Sequence, residues 1–276
     1  MKLKSNYHTH TYRCGHALDN DEDYVQGAIE IGIKDLGFSD HVPFKELHFP
    51  GMRQDYEMLE DYRKSIKSLQ EKYKDQITLH IGFEAEYVDE YIDEYKDLLK
   101  SKKIDYLICG QHCFLENNEQ IWYNSYHHNH EMLTKYIDAL IQAIRSGLFI
   151  YIAHPDHFMN GYRVWDDFAI MQSRRLLEEA SKYNIPLEIN VAGLRFAEYK
   201  HRTNGKGMPV ENLYPYDSFW ELASKYNIKG IIGIDAHRKN DFLDGIEKEA
   251  IEFANKHHIE LIEKLDIDEF YKNKVF

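Results

Sequence analysis

Short apolar runs that end in histidine or carboxylate constrain this chain more than any other feature. Seven short apolar runs recur, six of them with histidine or carboxylate at or near the C-terminal end: Leu3–His10, Asp35–His41, Ile77–Tyr87, Ile104–Phe114, Phe149–His154, Pro186–Val191 and Lys229–His237. Their length and their Ile, Leu, Tyr and Phe content read as buried strands. The longer stretches between them read as helices: Asp21–Lys34, Asp55–Tyr73, Asp89–Lys100, Glu131–Ser146, Asp166–Tyr183 and Asp217–Tyr226, with Leu243–Lys256 after the last run. Gly147 is expected to stop one of them. Strand–helix alternation of this kind calls for parallel strands joined by crossover helices. A closed barrel and a doubly wound open sheet both satisfy it. No GxGxxG or GxxxxGK(S/T) follows the first run, which weakens a dinucleotide or nucleoside-triphosphate reading.

The chain holds 16 histidines in 276 residues, and their positions matter more than their number. The first run ends in His8-Thr9-His10, the second in Ser39-Asp40-His41. The third carries Glu84, the fourth His112, the fifth His154, and the last ends in Asp235-Ala236-His237. In a parallel barrel those ends converge on one face, where active sites are built. Residues i and i+2 of a strand share a side, so His8 faces with His10 and Asp235 with His237. His16, in the loop after the first run, is close enough to fold back over them.

The expected metal ligands are therefore His8, His10, His16, His41, Glu84, His112, His154, Asp235 and His237. Imidazole mixed with carboxylate suits Zn, Mn or Fe better than Mg or Ca alone. Nine ligands exceed the needs of one ion, so two or three divalent metals are expected, with the two oxygens of Glu84 as the natural bridge. Asp40 and Asp156 are read as neighbours that orient a ring. His80 is expected to face the helices. His127, His128 and His130 read as a solvated loop, and His257 and His258 as a helix end. His48, His157 and His201 fall in strand-to-helix loops. Cys14, Cys109 and Cys113 read as core.

The chain carries 34 Lys+Arg against 47 Asp+Glu, a net charge of -13, so no nucleic-acid partner is expected. No apolar run reaches the roughly 18 residues of a membrane span, and MKLKSNYHTH lacks a signal-peptide core. Sparse cysteine fits a reducing cytoplasm. The length suits one α/β domain spanning residues 1–276. Oligomeric state is left open.

The HxH start (His8, His10), Ser39-Asp40-His41, the GxE at Glu84, the single His112 and His154 and the closing DxH (Asp235, His237) resemble the polymerase-and-histidinol-phosphatase, or PHP, superfamily from end to end. Tyr7-His8-Thr9-His10-Thr11, Phe49-Pro50-Gly51-Met52 and Glu188-Ile189-Asn190 with Ala192-Gly193-Leu194-Arg195 look like its monofunctional histidinol-phosphatases. The resemblance implies a single-domain, distorted (β/α)7 TIM-like barrel. It implies hydrolysis of a small phosphate ester, L-histidinol phosphate, by a hydroxide bridging metals. It would place His8, His10, Glu84 and Asp235 on a first metal, Glu84, His112 and His154 on a second, and His16, His41 and His237 on a third. Glu84 is then also catalytic. A phosphate monoester calls for guanidinium donors. Arg195, favoured by the resemblance, and Arg163 follow strand ends on the same rim, with Arg13 a weaker candidate. The leaving-group acid stays open among Asp156, His157, His201 and a metal-held water. Rival readings are a phosphoesterase for another small ester or nucleotide, and a non-catalytic metal-binding regulatory barrel. Amidohydrolase chemistry is disfavoured because no lysine stands where Glu84 does.

Overall fold

A computed structural model describes residues 2–196, 214–272 and 274. The runs become short strands: β1 (Ser5–Asn6), β2 (Asp35–His41), β3 (Thr78–Ala85), β4 (Tyr106–Cys109), β5 (Cys113–Glu116), β6 (Glu119–Trp122), β7 (Leu187–Asn190), β8 (Lys229–Gly233) and β9 (Glu260–Leu261). Strands β1 to β4 pair in parallel in chain order, and so do β7 to β9. The segment 149–154 joins the two sheets through parallel bridges from Ile152 to Cys109 and to Leu187. A bridge from Thr9 to Ala236 closes the ring, with His10 N–H donating to the Ala236 carbonyl at 2.9 Å. The result is a TIM-like α/β barrel.

Its distortion has a local cause. β9 pairs with the start of β8, and the Glu263 carbonyl accepts from Ser5 Oγ at 2.6 Å. Residues 260–263 thus stand between β8 and β1 at the N-terminal end, and the two strands meet directly only where their C-terminal ends converge. Tyr106 packs across the interior, its hydroxyl 2.9 and 3.0 Å from the Tyr7 and Phe38 carbonyl oxygens. Gly37 and Gly82 make room for it, since a Cβ there would come within 2.2 Å of its hydroxyl oxygen and 2.4 Å of its ring.

The helices α1 (Asp21–Ile31), α2 (Leu59–Tyr73), α3 (Ile92–Lys100), α4 (His130–Ser146), α5 (Met159–Tyr162) and α6 (Asp167–Tyr183) are followed by helical segments at 191–196, Asp217–Ala223, Asn240–Leu243, Glu247–Lys256 and Ile267–Tyr271. Helix α4 illustrates why they form. It buries Leu133, Tyr136, Ile137, Leu140, Ile141 and Ile144, one stripe at helical spacing. The Asn129 side chain caps its start by accepting from Met132 N–H at 3.1 Å, and Gly147 ends it at φ +68°. Among the described residues, no helix is long and apolar enough to cross a membrane.

Three expectations fail for physical reasons. The run Ile104–Phe114 is not one strand. It breaks at residues 110–112, where Glu84 lies across Gly110 so closely that a Cβ would sit 1.8 Å from Glu84 Oε1. The chain then turns into the antiparallel hairpin β5–β6, whose tip residues Asn117 and Asn118 both have positive φ, the signature of a two-residue hairpin turn. Leu243–Lys256 is divided by Gly245 at φ +80°. His80 does not face the helices. It shares the face of Gly82 and Glu84, and its Nε2 lies 2.7 Å from Asp35 Oδ1.

Candidate metal centre

Barrel closure brings the strand ends together. His8 and His10 arrive from the chain after β1, His41 from the end of β2, and Glu84 from β3. His112 follows β4, His154 ends the 149–154 segment, and Asp235 and His237 follow β8. The rings form one continuous cluster. His10 lies 4.1 Å from His237 and 4.5 Å from His41 between ring centres; His41 is 5.3 Å from His112, His112 is 4.8 Å from His154, and His154 is 5.8 Å from His8. His16 is exposed at the edge, 4.8 Å from His237 and 5.4 Å from His41. All nine expected residues meet in one place.

Glu84 stands at its centre. Oε1 lies 2.8 Å from His154 Nε2 and 3.5 Å from His112 Nε2. Oε2 lies 3.2 Å from His41 Nδ1 and 3.5 Å from Nε2 of both His8 and His10. Asp235 Oδ1 is 3.1 Å from His10 Nε2 and 3.5 Å from His8 Nε2 and from His237 Nδ1. The potential ligand atoms of His10, His41 and His237, of His8, His154 and Asp235, and of His8, His10 and Glu84 each lie within 4.8 Å of one another. Cys14 joins His16 and His237 in another such trio, so a thiol read as core packing borders the centre.

Electrostatics sort these groups. Burial alone would raise Glu84, but His112, His8 and His41 hold it well below the usual carboxylate range. Burial likewise opposes ionisation of Asp235, which His8 and His10 keep well below its ordinary value. Burial would lower His8 and His10, yet the surrounding carboxylates push His8 well up and His10 to about 9. Burial and the neighbouring His10 push His41 well down and His237 to about 3. The centre thus offers ionised carboxylates and neutral rings, with further rings that hold protons only for want of another positive charge. A cation would displace those protons.

The donor set fits a metal. Asp235 Oδ1 is buried without a hydrogen-bond donor although three imidazole nitrogens surround it. An orphaned acceptor of this kind is costly, and imidazole with carboxylate suits borderline transition metals. The glycine at position 110 leaves the space that Glu84 occupies, and Gly233 does the same for Glu188, where a Cβ would sit 1.7 Å from Oε1.

Sequence reasoning missed part of the support. Glu188 is fully buried and holds His8 Nδ1 at 2.8 Å through Oε1, while Oε2 accepts from His154 N–H at 3.0 Å and Asn190 Nδ2 at 2.9 Å. Glu86 Oε1 lies 3.3 Å from His112 Nδ1, and Asp40, read from the sequence as a ring-orienting neighbour, lies 3.6 Å from His10 Nδ1 through Oδ1. Three ligand-type rings therefore have a carboxylate behind them. The available signal was Glu188 alternating with Asn190 inside an otherwise apolar strand. Asp156 does not orient a ring: its Oδ2 accepts from Tyr216 N–H at 2.6 Å and Trp220 Nε1 at 3.1 Å, and burial pushes it up to about 7.

The arginines have other partners. Arg13 is buried between Asp21 and Asp61, at 2.9 and 2.8 Å, which removes it from the site. Arg195 donates to Asp244 Oδ2 at 2.6 Å, to the Asp241 carbonyl at 3.0 Å and to the carbonyl of Ile234, the residue before Asp235, at 3.4 Å. Arg163 is exposed and donates to the Asn160 carbonyl at 2.9 Å. His157 adjoins the cluster, 5.1 Å from His154, 5.5 Å from His112 and 5.0 Å from Tyr214 between ring centres. His201 lies outside the described residues.

Comparison with known proteins gives the family and the fold. The PHP domain family matches residues 6–192. A probable histidinol-phosphatase of Deinococcus radiodurans is 26% identical over 255 residues, covering 87% of this chain and 90% of that protein. A probable phosphatase of Clostridium botulinum is 25% identical over 237 residues, covering 86% and 80%. The crystal structure of histidinol phosphate phosphatase from Lactococcus lactis, complexed with Zn, L-histidinol and phosphate, superposes with a TM-score of 0.70 at 19% identity, covering 94% of this chain and 95% of that one.

Proposed function

The chain belongs to the PHP domain family, and from that membership we propose that it is a metal-dependent phosphomonoesterase, a histidinol-phosphatase that converts L-histidinol phosphate and water to L-histidinol and phosphate. One observation carries the reading: Glu84 meets rings from four strand ends in a chain whose relatives of that activity align over most of its length. We take residues 1–276 as one domain, because Asp235 and His237, beyond the matched span, complete the cluster.

The nine residues would hold two or three divalent ions, Zn, Mn or Fe, and Glu84 would be shared between them. When bound, such ions supply Lewis acidity and make water a nucleophile near neutral pH. The protein's own part is positioning and charge placement. Glu188 fixes the His8 ring so that Nε2 points inward. His157 and Tyr214 stand beside His112 and His154, where they would meet the alcohol portion of the ester. Arg163, exposed and donating to the Asn160 carbonyl, would have to turn toward a phosphate oxygen to serve it. Arg195 would have to exchange Asp244 for it.

The test is phosphate release by metal-reconstituted protein from L-histidinol phosphate, a generic aryl phosphate and a short DNA strand. The reading expects the first to have the highest kcat/KM and the DNA to be inert. The relatives named only probable phosphatase support the alternative of another small ester, which preference for the aryl phosphate would favour. Metal uptake without any phosphate release would favour a non-catalytic metal-binding barrel.

A further inference from the structure

Among the described residues, His112 is the ligand-type ring approached from behind by a buried ion pair. Glu86 and Arg53 are 1% and 3% exposed, and Arg53 Nη2 donates to Glu86 Oε1 at 3.0 Å. Arg53 is itself fixed from three sides. Nη1 donates to the Val42 carbonyl at 2.8 Å, and the guanidinium lies 4.4 Å from the Phe44 ring centre. With the Gln120 amide turned carbonyl-inward, its oxygen accepts from Arg53 Nη2 and Nε at 2.8 and 3.2 Å. The pair thus joins the loop after β2, the end of β3 and the hairpin β5–β6.

The backbone around His112 is secured separately. Gln111 Oε1 accepts from Tyr87 N–H and its Nε2 donates to the Cys113 carbonyl, both at 2.8 Å, while the His112 carbonyl accepts from Tyr123 N–H at 3.1 Å. The ring is the remaining freedom. Glu86 Oε1, 3.3 Å from His112 Nδ1, removes it. A carboxylate only accepts, so Nδ1 must carry the hydrogen, and in the neutral ring Nε2 keeps its lone pair. That lone pair faces Glu84 Oε1 at 3.5 Å, two acceptors opposed across a gap that a cation would fill.

We infer that Glu86, held in place by Arg53, is a positioning residue for His112, fixing the tautomer and orientation in which that ring can bind a metal ion together with Glu84. The inference rests on the metal-centre reading above and adds to it which residues outside the ligand set govern one ion. Arg53 keeps the carboxylate aimed at His112 Nδ1.

The experiment measures zinc binding by chelator competition and the His112 ring nitrogens by 15N NMR of zinc-free protein, in wild type, Glu86→Gln and Glu86→Ala. The Gln variant retains an oxygen for Arg53 and guards against loss of fold in the Ala variant, which leaves Arg53 unpaired. Removing a carboxylate that orients a metal-binding histidine lowers metal affinity about 10- to 100-fold. The expected result is that loss for one zinc ion only, smaller in Glu86→Gln, with hydrogen on Nδ1 in wild type and a mixed tautomer in Glu86→Ala. Unchanged zinc affinity in both variants overturns the inference, as does hydrogen on Nε2 in wild type or an equal weakening of every ion with the tautomer intact. Wild-type protein that takes up no zinc overturns the metal-centre reading as well.

Discussion

The barrel carries a histidine–carboxylate cluster at each end, and the two differ in how their charges are met. At the N-terminal end, Asp35 Oδ1 accepts from the Tyr7 hydroxyl at 2.9 Å and lies 2.7 Å from His80 Nε2, while Oδ2 accepts from Lys264 Nζ at 2.6 Å. Burial would raise Asp35, but His80 and Lys264 hold it below its ordinary value. At the C-terminal end, six residues further along the same strand, His41 opens onto Glu84, and among the described residues Glu84 and Asp235 are met by imidazole rings and, at Asp235 Oδ2, by the Asn190 amide, with no lysine or arginine paired to either. An ammonium and a hydroxyl complete the first cluster. The second remains short of positive charge. Histidine beside carboxylate does not by itself make a metal site; what decides is whether the protein has already supplied the cation.

The largest expected effect breaks the upper cluster. Glu84→Ala should lower turnover by about 10²- to 10³-fold, the scale seen when a central electrostatic group is lost, and should reduce bound metal. Metal analysis beside phosphate release checks both, and normal metal content with full activity would remove Glu84 from its central role.

Asp35→Asn acts on the lower cluster and should do the reverse. It should cost about 1–3 kcal/mol of stability at neutral pH, because Lys264 and its neighbours lose a charged acceptor. Metal content and kcat of the folded protein should be unchanged. The pH dependence has a definite sign. A carboxylate lowered in the folded state contributes stability above its unfolded pKa of about 3.9 and loses it as pH falls through the folded value. The melting-temperature gap between wild type and Asp35→Asn should therefore be widest at neutral pH and shrink below about pH 4. A gap that grows in acid would reverse this account. Adding zinc should raise the melting temperature of both proteins equally, whereas Glu84→Ala should respond less.

The smallest effect tests where the upper cluster ends. Asp244→Asn breaks a partly exposed ion pair and should cost about 0.2–1 kcal/mol. If Arg195 serves the substrate phosphate, releasing it should lower KM. An unchanged KM would leave Arg195 as a brace on the chain beside Asp235.

The alternation of runs and helices could be read without coordinates because burial of a strand or a helix stripe imposes a period on the sequence. The nine residues could be read for a related reason: parallel strands place their C-terminal ends on one face, so residues scattered from His8 to His237 had to converge. The two-residue turn at Asn117 and Asn118 was also written in the chain, but an apolar run continuing through Cys113 hid it.

What the sequence could not specify is which partner stands across the barrel. Glu188 reaches His8 over 180 positions, Asp35 meets His80 and Lys264, and Arg195 turns to Asp244. Alternation assigns a side chain to the inside or the outside of a strand, a property of a few neighbouring residues. Whether an inward carboxylate faces a lysine or a ring of imidazoles depends on the order in which the strands close. That order is set by long-range packing, so only the folded barrel separates a charge already neutralised from one that awaits a metal.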